Sequence, residues 1–268
     1  MKKTNLRLLD ERLALSDGAI DFSLASAIPS RERVISILWS IIRLIFPRLY
    51  AIDEKSATDS ERLFLSLASA LSSFVGENPD LAEQKITEIL YDLPKIKLSL
   101  TADAVAIYEG DPAATSPLEV MLCYPGFLAI MIQRISHAFY LRNIPYLPRM
   151  MTEYAHERTG IDIHPGARIG ESFCIDHGTG VVIGETAEIG DRVKIYQGVT
   201  IGAKSFEKDH TGRLIKGKKR HPKIGNDCVI YAGATILGGD TVVGDGCIVG
   251  GNVWLTHSLA PGEKIYYS

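Results

Sequence analysis

Cysteine and charge of one sign are scarce in this sequence. Only 4 of the 268 residues are cysteine, with no C-x-x-C spacing among them, which argues against a disulfide scaffold or a cysteine-based metal site. Three of the four, Cys174, Cys228 and Cys247, lie in a repetitive stretch where small apolar side chains pack well, so we expect reduced core thiols. The formal net charge is −3, which gives no reason to expect nucleic acid or an anionic membrane as a partner.

A membrane-spanning run is also missing. The longest mostly apolar run, residues 34–46, has 13 residues and contains Arg43, whereas a helix needs about 20 residues to cross a bilayer. The first residues, Met1-Lys2-Lys3, lead into more charged side chains rather than into the apolar core of a signal peptide. We therefore expect a cytoplasmic protein that makes no membrane contact.

Aliphatic residues recur about every six positions between residues 161 and 257. The series slips its phase after Ile175 and after Ile236, and glycine often follows the aliphatic position. A period of six matches neither the 3.6-residue period of a helix nor the alternation of a hairpin, and fixed short periods are typical of repeat architectures. The aliphatic positions are Ile163, Ile169, Ile175, Ile183, Ile189, Ile195, Ile201, Ile224, Ile230, Ile236, Val243, Val249 and Leu255.

Such a repeat predicts a solenoid. Each hexapeptide supplies a short strand with one inward aliphatic side chain and then a bend. Three units close a triangular coil, and each coil touches only its neighbours. Strands of an ordinary β-sandwich fit less well, because they vary in length and alternate more plainly.

The part before the repeat reads as helical, with Pro47 ending or kinking the first helix. The predicted helices cover residues 31–52, about 58–74, 79–93, 100–109, a short one from 117, 127–142 and one through Met151 to Gly160. The fold class is therefore α+β. An α-helical N-terminal domain, residues 1–160, is followed directly by a parallel β-helix, residues 161–268, with an extended loop at 203–223.

Two side chains of the repeat could act together in chemistry. His177 follows Asp162 by fifteen residues, nearly one coil of three hexapeptides, so both can fall near the same corner. A carboxylate beside an imidazole fixes its tautomer and stabilises its protonated form, which makes His177 a candidate general base. A surface pair at a bend fits the spacing equally well. The basic loop at 203–223 suits a phosphorylated ligand or a carboxylate, although most of its lysines are expected to be solvated.

Six short motifs of the sequence occur in a particular order. They are Asp111-Pro112-Ala113, Gly126-Phe127, Asp162-Ile163-His164-Pro165, Ile175-Asp176-His177-Gly178-Thr179-Gly180, Gly184-Glu185-Thr186 and Arg220-His221-Pro222-Lys223-Ile224. This ordered set, between about residues 111 and 257, resembles the serine acetyltransferases of the hexapeptide-repeat acyltransferase superfamily. The resemblance implies a left-handed parallel β-helix and transfer of acetyl from acetyl-CoA to the hydroxyl of L-serine, the first step of cysteine synthesis from serine.

The resemblance also implies roles for single residues on the serine side. His177 matches the base that removes the serine hydroxyl proton, and Asp162 matches its orienting partner. Asp111 and Asp176 match the carboxylates that hold the amino group of the substrate.

Further roles concern the substrate carboxylate and acetyl-CoA. Arg220 matches the residue that pairs with the serine carboxylate, and His221 matches a second histidine at the serine site. Acetyl-CoA, the expected co-substrate, would lie in a groove between neighbouring subunits, with its pantetheine arm near Ala203, Ala232 and Gly251. No metal is expected.

The family assembles as homotrimers or as hexamers built from two trimers, so we expect one of these. Its members often bind O-acetylserine sulfhydrylase through a longer tail that ends in isoleucine. This chain ends at Tyr266-Tyr267-Ser268, so a stable complex with the sulfhydrylase is not expected. The loop at 203–223 is longer and richer in lysine than the glycine-rich loop usual in the family.

Three other functions fit the sequence less well. Another hexapeptide-repeat acetyltransferase, acting on a sugar or an antibiotic, would lack the Asp111 motif and the Arg220-His221 pair in this arrangement. A metal hydratase would need three histidines converging on zinc, and the sequence offers no obvious triplet. A pure scaffold would leave the carboxylates and Arg220 without a function.

Overall fold

The computed structural model of the protein describes residues 28–50, 65, 67 and 79–267. The helices are α1 (Arg31–Ile45), α2 (Pro47–Tyr50), α3 (Pro79–Gly110), α4 (Pro117–Cys123), α5 (Pro125–Leu141) and α6 (Leu147–Thr159). The helix predicted at about 58–74 lies outside the described residues, apart from Leu65 and Leu67.

Helix α1 begins and ends where its sequence requires. The Ser30 side chain accepts a hydrogen bond from the Arg33 backbone N–H, which caps the first turn. The helix ends before Pro47, and the short helix α2 starts there, so the predicted break is confirmed. One face of α1 is buried at a spacing of three and four residues: Val34, Ile37, Leu38, Ile41, Ile42 and Ile45.

The two helices predicted at 79–93 and 100–109 form one helix of 32 residues, α3, so the predicted interruption is wrong. Pro94 lies inside α3 and has no N–H to donate to the preceding turn. The helix continues because packing on both sides of the proline outweighs this loss. The buried residues along α3 are Ala82, Ile86, Ile89, Leu93, Leu100, Ala104 and Ile107.

Helices α4 and α5 meet at Tyr124, where the sequence predicts a break. The Ser116 side chain accepts a hydrogen bond from the Glu119 backbone N–H at the start of α4. Within the described part of the chain, no single helix is long and apolar enough to cross a membrane. The pair α4 and α5 together meet that test of length and composition, but they are bent by 77°.

Residues 162–265 form a left-handed parallel β-helix. Sheet A contains β1 (Asp162–Ile163), β4 (Val182–Ile183), β7 (Thr200–Gly202), β10 (Thr235–Leu237) and β13 (Trp254–Leu255). Sheet B contains β2 (Arg168–Ile169), β5 (Glu188–Ile189), β8 (Lys223–Ile224) and β11 (Val242–Val243). Sheet C contains β3 (Cys174–Ile175), β6 (Lys194–Ile195), β9 (Val229–Ile230), β12 (Ile248–Val249) and β14 (Lys264–Ile265).

The aliphatic repeat forms the core of the β-helix, as predicted. Twelve of the thirteen aliphatic positions are buried, and Ile169 is half-buried. In sheet A, for example, Ile163 pairs with Ile183, which in turn pairs with Ile201 in the next coil. Removing these stacked side chains from water supplies the stability of strands only two or three residues long.

Bends between the sheets form three corners. Corner 1 connects sheet A to sheet B, corner 2 connects B to C, and corner 3 connects C to A. Corner 1 consists of residues 164–167, 184–187, 203–222 and 238–241. Corner 3 consists of residues 176–181, 196–199, 231–234 and 250–253.

The first coil is longer than the second. Asp162 pairs in register with Val182, a step of 20 residues, whereas Val182 pairs with Thr200, a step of 18. The two extra residues lie in the corner 3 bend at 176–181. The first phase slip in the sequence is therefore a lengthened bend.

A buried ion pair holds the helices against the first coil. Asp103 on α3 has no exposed side-chain surface, and its carboxylate accepts two hydrogen bonds from Arg134 on α5, at 2.6 and 2.8 Å. The Phe173 backbone N–H also donates to Asp103 at 2.9 Å. Arg134 donates in turn to the backbone carbonyls of Ile169 and Gly170. The pair therefore links two helices to the end of β2 and to the bend that follows it.

Removal of this carboxylate should leave an uncompensated buried cation. We expect Asp103→Ala to lower the free energy of unfolding by about 3–5 kcal/mol, measured by urea denaturation at matched protein concentrations. The control is Asp92→Ala, because Asp92 pairs with Arg142 at 2.7 Å but is 43% exposed. Its loss should be about 1 kcal/mol or less. Similar losses in the two variants would contradict a role for the buried pair.

Candidate active site

Three of the predicted site residues meet at corner 3. His177 Nε2 lies 3.7 Å from Asp176 Oδ1 in the lengthened bend, and the His177 side chain is 73% exposed. Asp111, just after the end of α3, is close enough for its charge to interact with His177. Its Oδ2 accepts a hydrogen bond of 2.7 Å from the Tyr124 hydroxyl, and its Oδ1 accepts one of 2.8 Å from the Ala113 N–H. Two carboxylates thus lie beside an exposed imidazole.

Hydrogen bonding keeps Asp111 ionised. The bonds from Tyr124 and from the Ala113 backbone lower the pKa of Asp111, and the charges of Lys194 and His177 act in the same direction. The same contact raises the pKa of Tyr124 to about 12, so the phenol keeps its proton and remains a donor. A fixed anion of this kind suits an ammonium group.

The backbone conformation of His177 is a general feature of the bends and is not specific to the active site. Its φ is 57°, in the left-handed region. The same conformation occurs in other bends of the β-helix, at Ser172, Arg192, Asp227 and Asn252. The next residue must be glycine, because Gly178 has a φ of 87° and a Cβ there would lie 2.5 Å from Ile161 Cδ1. The bend therefore turns the His177 side chain outward and the backbone of Gly178 inward.

A second group of predicted residues lies at corner 1. His221 is only 6% exposed, and its Nδ1 accepts a hydrogen bond of 3.0 Å from the Thr186 backbone N–H. Gly184 makes room for the ring, since a Cβ there would lie 2.0 Å from His221 Nε2. Because Nδ1 accepts, the neutral ring carries its proton on Nε2. Burial, together with the charge of Arg220, lowers the pKa of His221 to about 4.

Arg220 is anchored beside this ring. Its Nη2 donates to Glu185 Oε2 at 2.5 Å, and Glu185 Oε1 accepts a 2.9 Å bond from the Tyr140 hydroxyl. Burial alone would raise the pKa of Glu185, but the hydrogen bonds from Arg220 and Tyr140 outweigh it and lower the pKa. The Arg220 backbone N–H donates to the Thr186 hydroxyl at 3.0 Å. A guanidinium has five N–H donors, so Glu185 leaves others available for a ligand carboxylate.

The predicted pairing of Asp162 with His177 is wrong within one chain. Asp162 Oδ1 lies 3.9 Å from Arg149 Nη2, and its charge acts on His164. The carboxylate beside His177 is that of Asp176. The prediction assumed a coil of eighteen residues, but the first coil takes 20. His177 therefore lies in the bend before the strand that pairs with β1.

Asp162 instead shares a group with Glu153 and His156, whose possible ligand atoms all lie within 4.8 Å of one another. Arg149 forms ion pairs with both Glu153 and Asp162. A cationic side chain thus already balances these two carboxylates.

The residues expected to meet the pantetheine arm also divide between corners. Ala203 lies at corner 1, directly after β7, where the long loop begins. Ala232 and Gly251 lie in neighbouring coils at corner 3, and a Cβ on Gly251 would be 3.2 Å from the Ala232 oxygen. Residues 203–222 form the loop, and its basic side chains are partly paired: Lys218 with Glu207 and Lys219 with Glu188.

Five further residues of the site have no role in the sequence-based prediction. Glu185 and Thr186 follow Gly184 in one of the motifs, and a glycine at this position can indicate that another side chain packs closely there. The other three act across long separations: 13 residues from Tyr124 to Asp111, 45 from Tyr140 to Glu185, and 84 from Lys194 to Gly110. No local pattern in the sequence could indicate these contacts.

Comparison with known sequences identifies the family. A family model described as serine acetyltransferase, N-terminal, matches residues 48–132. The plasmid serine acetyltransferase of Synechococcus elongatus is 46% identical over 260 residues, which cover 89% of this chain and 81% of that protein. The serine acetyltransferase of Helicobacter pylori is 45% identical over 166 residues, 62% of this chain and 91% of that protein.

Comparison with solved structures indicates the same family. Serine acetyltransferase 1 of Entamoeba histolytica, in a complex with L-cysteine, is 37% identical with a TM-score of 0.77 and 86% of each chain covered. Soybean serine acetyltransferase complexed with serine is 30% identical with a TM-score of 0.62, covering 90% of this chain and 98% of that one. Together with the helical region and the β-helix described above, these similarities show that the chain belongs to the serine acetyltransferase family.

Proposed function

We propose that the chain transfers acetyl from acetyl-CoA to the hydroxyl of L-serine in a site shared by two copies of the chain. The observation that carries this proposal is the division of the site between two corners of one β-helix. The group at corner 3 contains two carboxylates and an exposed imidazole, and the group at corner 1 contains a guanidinium and a neutral imidazole. Neither group alone is complementary to both charged ends of an amino acid.

Corner 3 binds the amino group and supplies the base. The carboxylates of Asp111 and Asp176 offer acceptors to an ammonium group, and His177 interacts with both. The exposed imidazole of His177 is free to approach a substrate hydroxyl. This arrangement places the base next to the bound end of serine, where the hydroxyl is one carbon away from the amine-bearing carbon.

Corner 1 binds the carboxylate. Arg220 offers the N–H groups that Glu185 leaves unused, and planar guanidinium geometry suits a carboxylate. His221 adds a neutral Nε2–H donor, because Thr186 occupies its Nδ1. Asp162, which the structure places near Arg149 and His164 rather than His177, can serve as the orienting partner of His177 only when the two come from different copies.

A contact between corner 1 of one copy and corner 3 of the next is heterologous, and such contacts form closed rings when the rotation closes. We therefore propose the homotrimer of the family. The same contact would bring Ala203 of one copy near Ala232 and Gly251 of another, which forms a groove for the pantetheine arm of acetyl-CoA.

The reaction is a direct transfer between two bound substrates. His177 takes the hydroxyl proton as the serine oxygen attacks the thioester carbonyl, which forms the new ester bond through a tetrahedral intermediate. The carbon–sulfur bond then breaks, and the protonated His177 returns its proton to the thiolate of CoA. Holding both substrates in line lowers the barrier further.

Loss of the base should remove most of the turnover. We expect His177→Ala to lower kcat about 10²–10⁴-fold while the variant keeps the assembly of the wild type, measured by thioester loss and by size-exclusion chromatography. His257→Ala is the control, since His257 is an exposed histidine in the bend after β13, the last strand of sheet A. A His177→Ala enzyme with near-normal kcat would rule out this base.

A shared site predicts complementation between two inactive chains. When His177→Ala and Arg220→Ala chains are co-expressed with different tags, random mixing should restore about a quarter of the wild-type sites and hence of the activity. Co-expression of His177→Ala with Asp111→Asn, both at corner 3, should restore none. Equal failure of both mixtures would place the site within one chain.

The buried His221 predicts a loss of stability in acid. Its pKa is lowered to about 4, so between about pH 6.5 and pH 4 the unfolded chain binds a proton that the folded chain does not, and stability falls as pH falls. From pH 7 to pH 5 this histidine should cost about 2 kcal/mol of unfolding free energy. His221→Asn keeps an acceptor for Thr186 and should lose less over that range. Identical pH dependence in urea denaturation would contradict the assignment.

A further inference from the structure

Lys194 lies between the two carboxylates of corner 3. It stands on β6 with its side chain 19% exposed, and its Nζ is 3.2 Å from Asp176 Oδ2. The same Nζ donates a 2.5 Å hydrogen bond to the Gly110 carbonyl and lies 4.6 Å from the centre of the Tyr196 ring. One ammonium group therefore contacts the end of a helix, the lengthened bend and an aromatic ring.

The contact with Gly110 controls the position of Asp111. Gly110 is the last residue of α3, where backbone carbonyls lack helical partners and favour a nearby cation. Asp111 follows it directly. An ideal Cβ on Gly110 would lie 3.4 Å from both Lys194 Nζ and Cys174 Sγ, so the helix end sits tightly against the coil. Through this contact Lys194 connects the helix that carries Asp111 to the coil that carries Asp176.

We propose that Lys194 is a positioning residue for the acetyl transfer, which holds Asp111 and Asp176 together and offsets one of their negative charges beside His177. The proposal rests on the proposed function, in which His177 is the base. A base must be unprotonated to accept the serine proton, and neighbouring carboxylates favour the protonated imidazole whereas a neighbouring ammonium opposes it.

The other titratable groups around Asp111 and Asp176 do not supply this positive charge. Burial raises the pKa of the Cys174 thiol to about 12, and the Asp111 contact raises the pKa of Tyr124 to about 12, so both are neutral. The groups that the structure places around this site are Asp176 in the bend, Asp111 after α3, Glu119 and Tyr124 at the two ends of α4, and Cys174 and Lys194 in sheet C. Among these described groups, Lys194 is the cation.

The test is the pH dependence of kcat/KM for serine, followed directly by loss of the thioester. In Lys194→Met the acidic limb should move to higher pH by about half a unit to one unit, because the Asp176 carboxylate, which both His177 and Lys194 contact, loses the ammonium group that offsets its charge. Lys194→Gln, which can still donate to Gly110 but carries no charge, should shift in the same direction. Lys194→Arg should restore the wild-type position.

The matched control is Lys264→Met. Lys264 occupies the corresponding outward position of the last strand in sheet C, in register through Ile248 and Val229 with Lys194. It lies three strands away from β6, and its profile should coincide with that of the wild type.

Two results would overturn this inference alone. An unshifted acidic limb in both neutral variants, with His177→Ala inactive, would reject the role of Lys194 and leave the proposed function standing. A shift in Lys194→Arg as large as in Lys194→Met would show that charge is not the cause and would reject it as well. A His177→Ala enzyme with wild-type turnover would instead overturn the proposed function and this inference together.

Discussion

The burial of one aliphatic side chain per strand, against the same position of the next coil, is the interaction on which the whole molecule depends. The strands are two or three residues long, too short to be held by their backbone bonds alone. In sheet A, Ile201 stacks on Ile236, and Ile236 on Leu255. A slip of one residue would turn each inward side chain to the surface. This stacking fixes the register, and the register fixes which bends share a corner.

Because the core constrains only the inward positions, the bends are free to vary, and the proposed active-site residues lie in or next to them. Corner 3 of the first coil has two more residues than its successor, and this length exposes His177. Corner 1 expands into the loop 203–222, and at the end of this loop Arg220 and His221 return to the coil beside Glu185 and Thr186. Opposite environments then assign opposite roles: a hydrogen-bonded Asp111 that stays charged, and a buried His221 that stays neutral.

The sequence predicts what depends on short-range pattern. The aliphatic period, together with the motif resemblance, predicts the β-helix and its core, and Pro47 predicts the end of α1. Prediction from the sequence fails where a contact between residues far apart in the chain determines the local structure. Nothing local shows that α3 continues through Pro94, since that depends on packing against α5 and the first coil. The pairing of Asp162 with His177 fails for a related reason: the phase slip after Ile175 is visible in the sequence, but its effect on the coil length appears only when the strands are paired.

The proposed amine subsite is built from two parts of the chain, a helix and a β-helix. Asp111 follows a long helix, and Asp176 follows a coil strand, with Lys194 between them. An ammonium group bound by both Asp111 and Asp176 would link helix α3 to the β-helix. Thermodynamic reciprocity then requires that packing of α3 against the β-helix raises the affinity for serine by the same factor by which bound serine favours that packing. If serine binds there as proposed, its occupancy would therefore help to hold the C-terminal end of α3 against the β-helix.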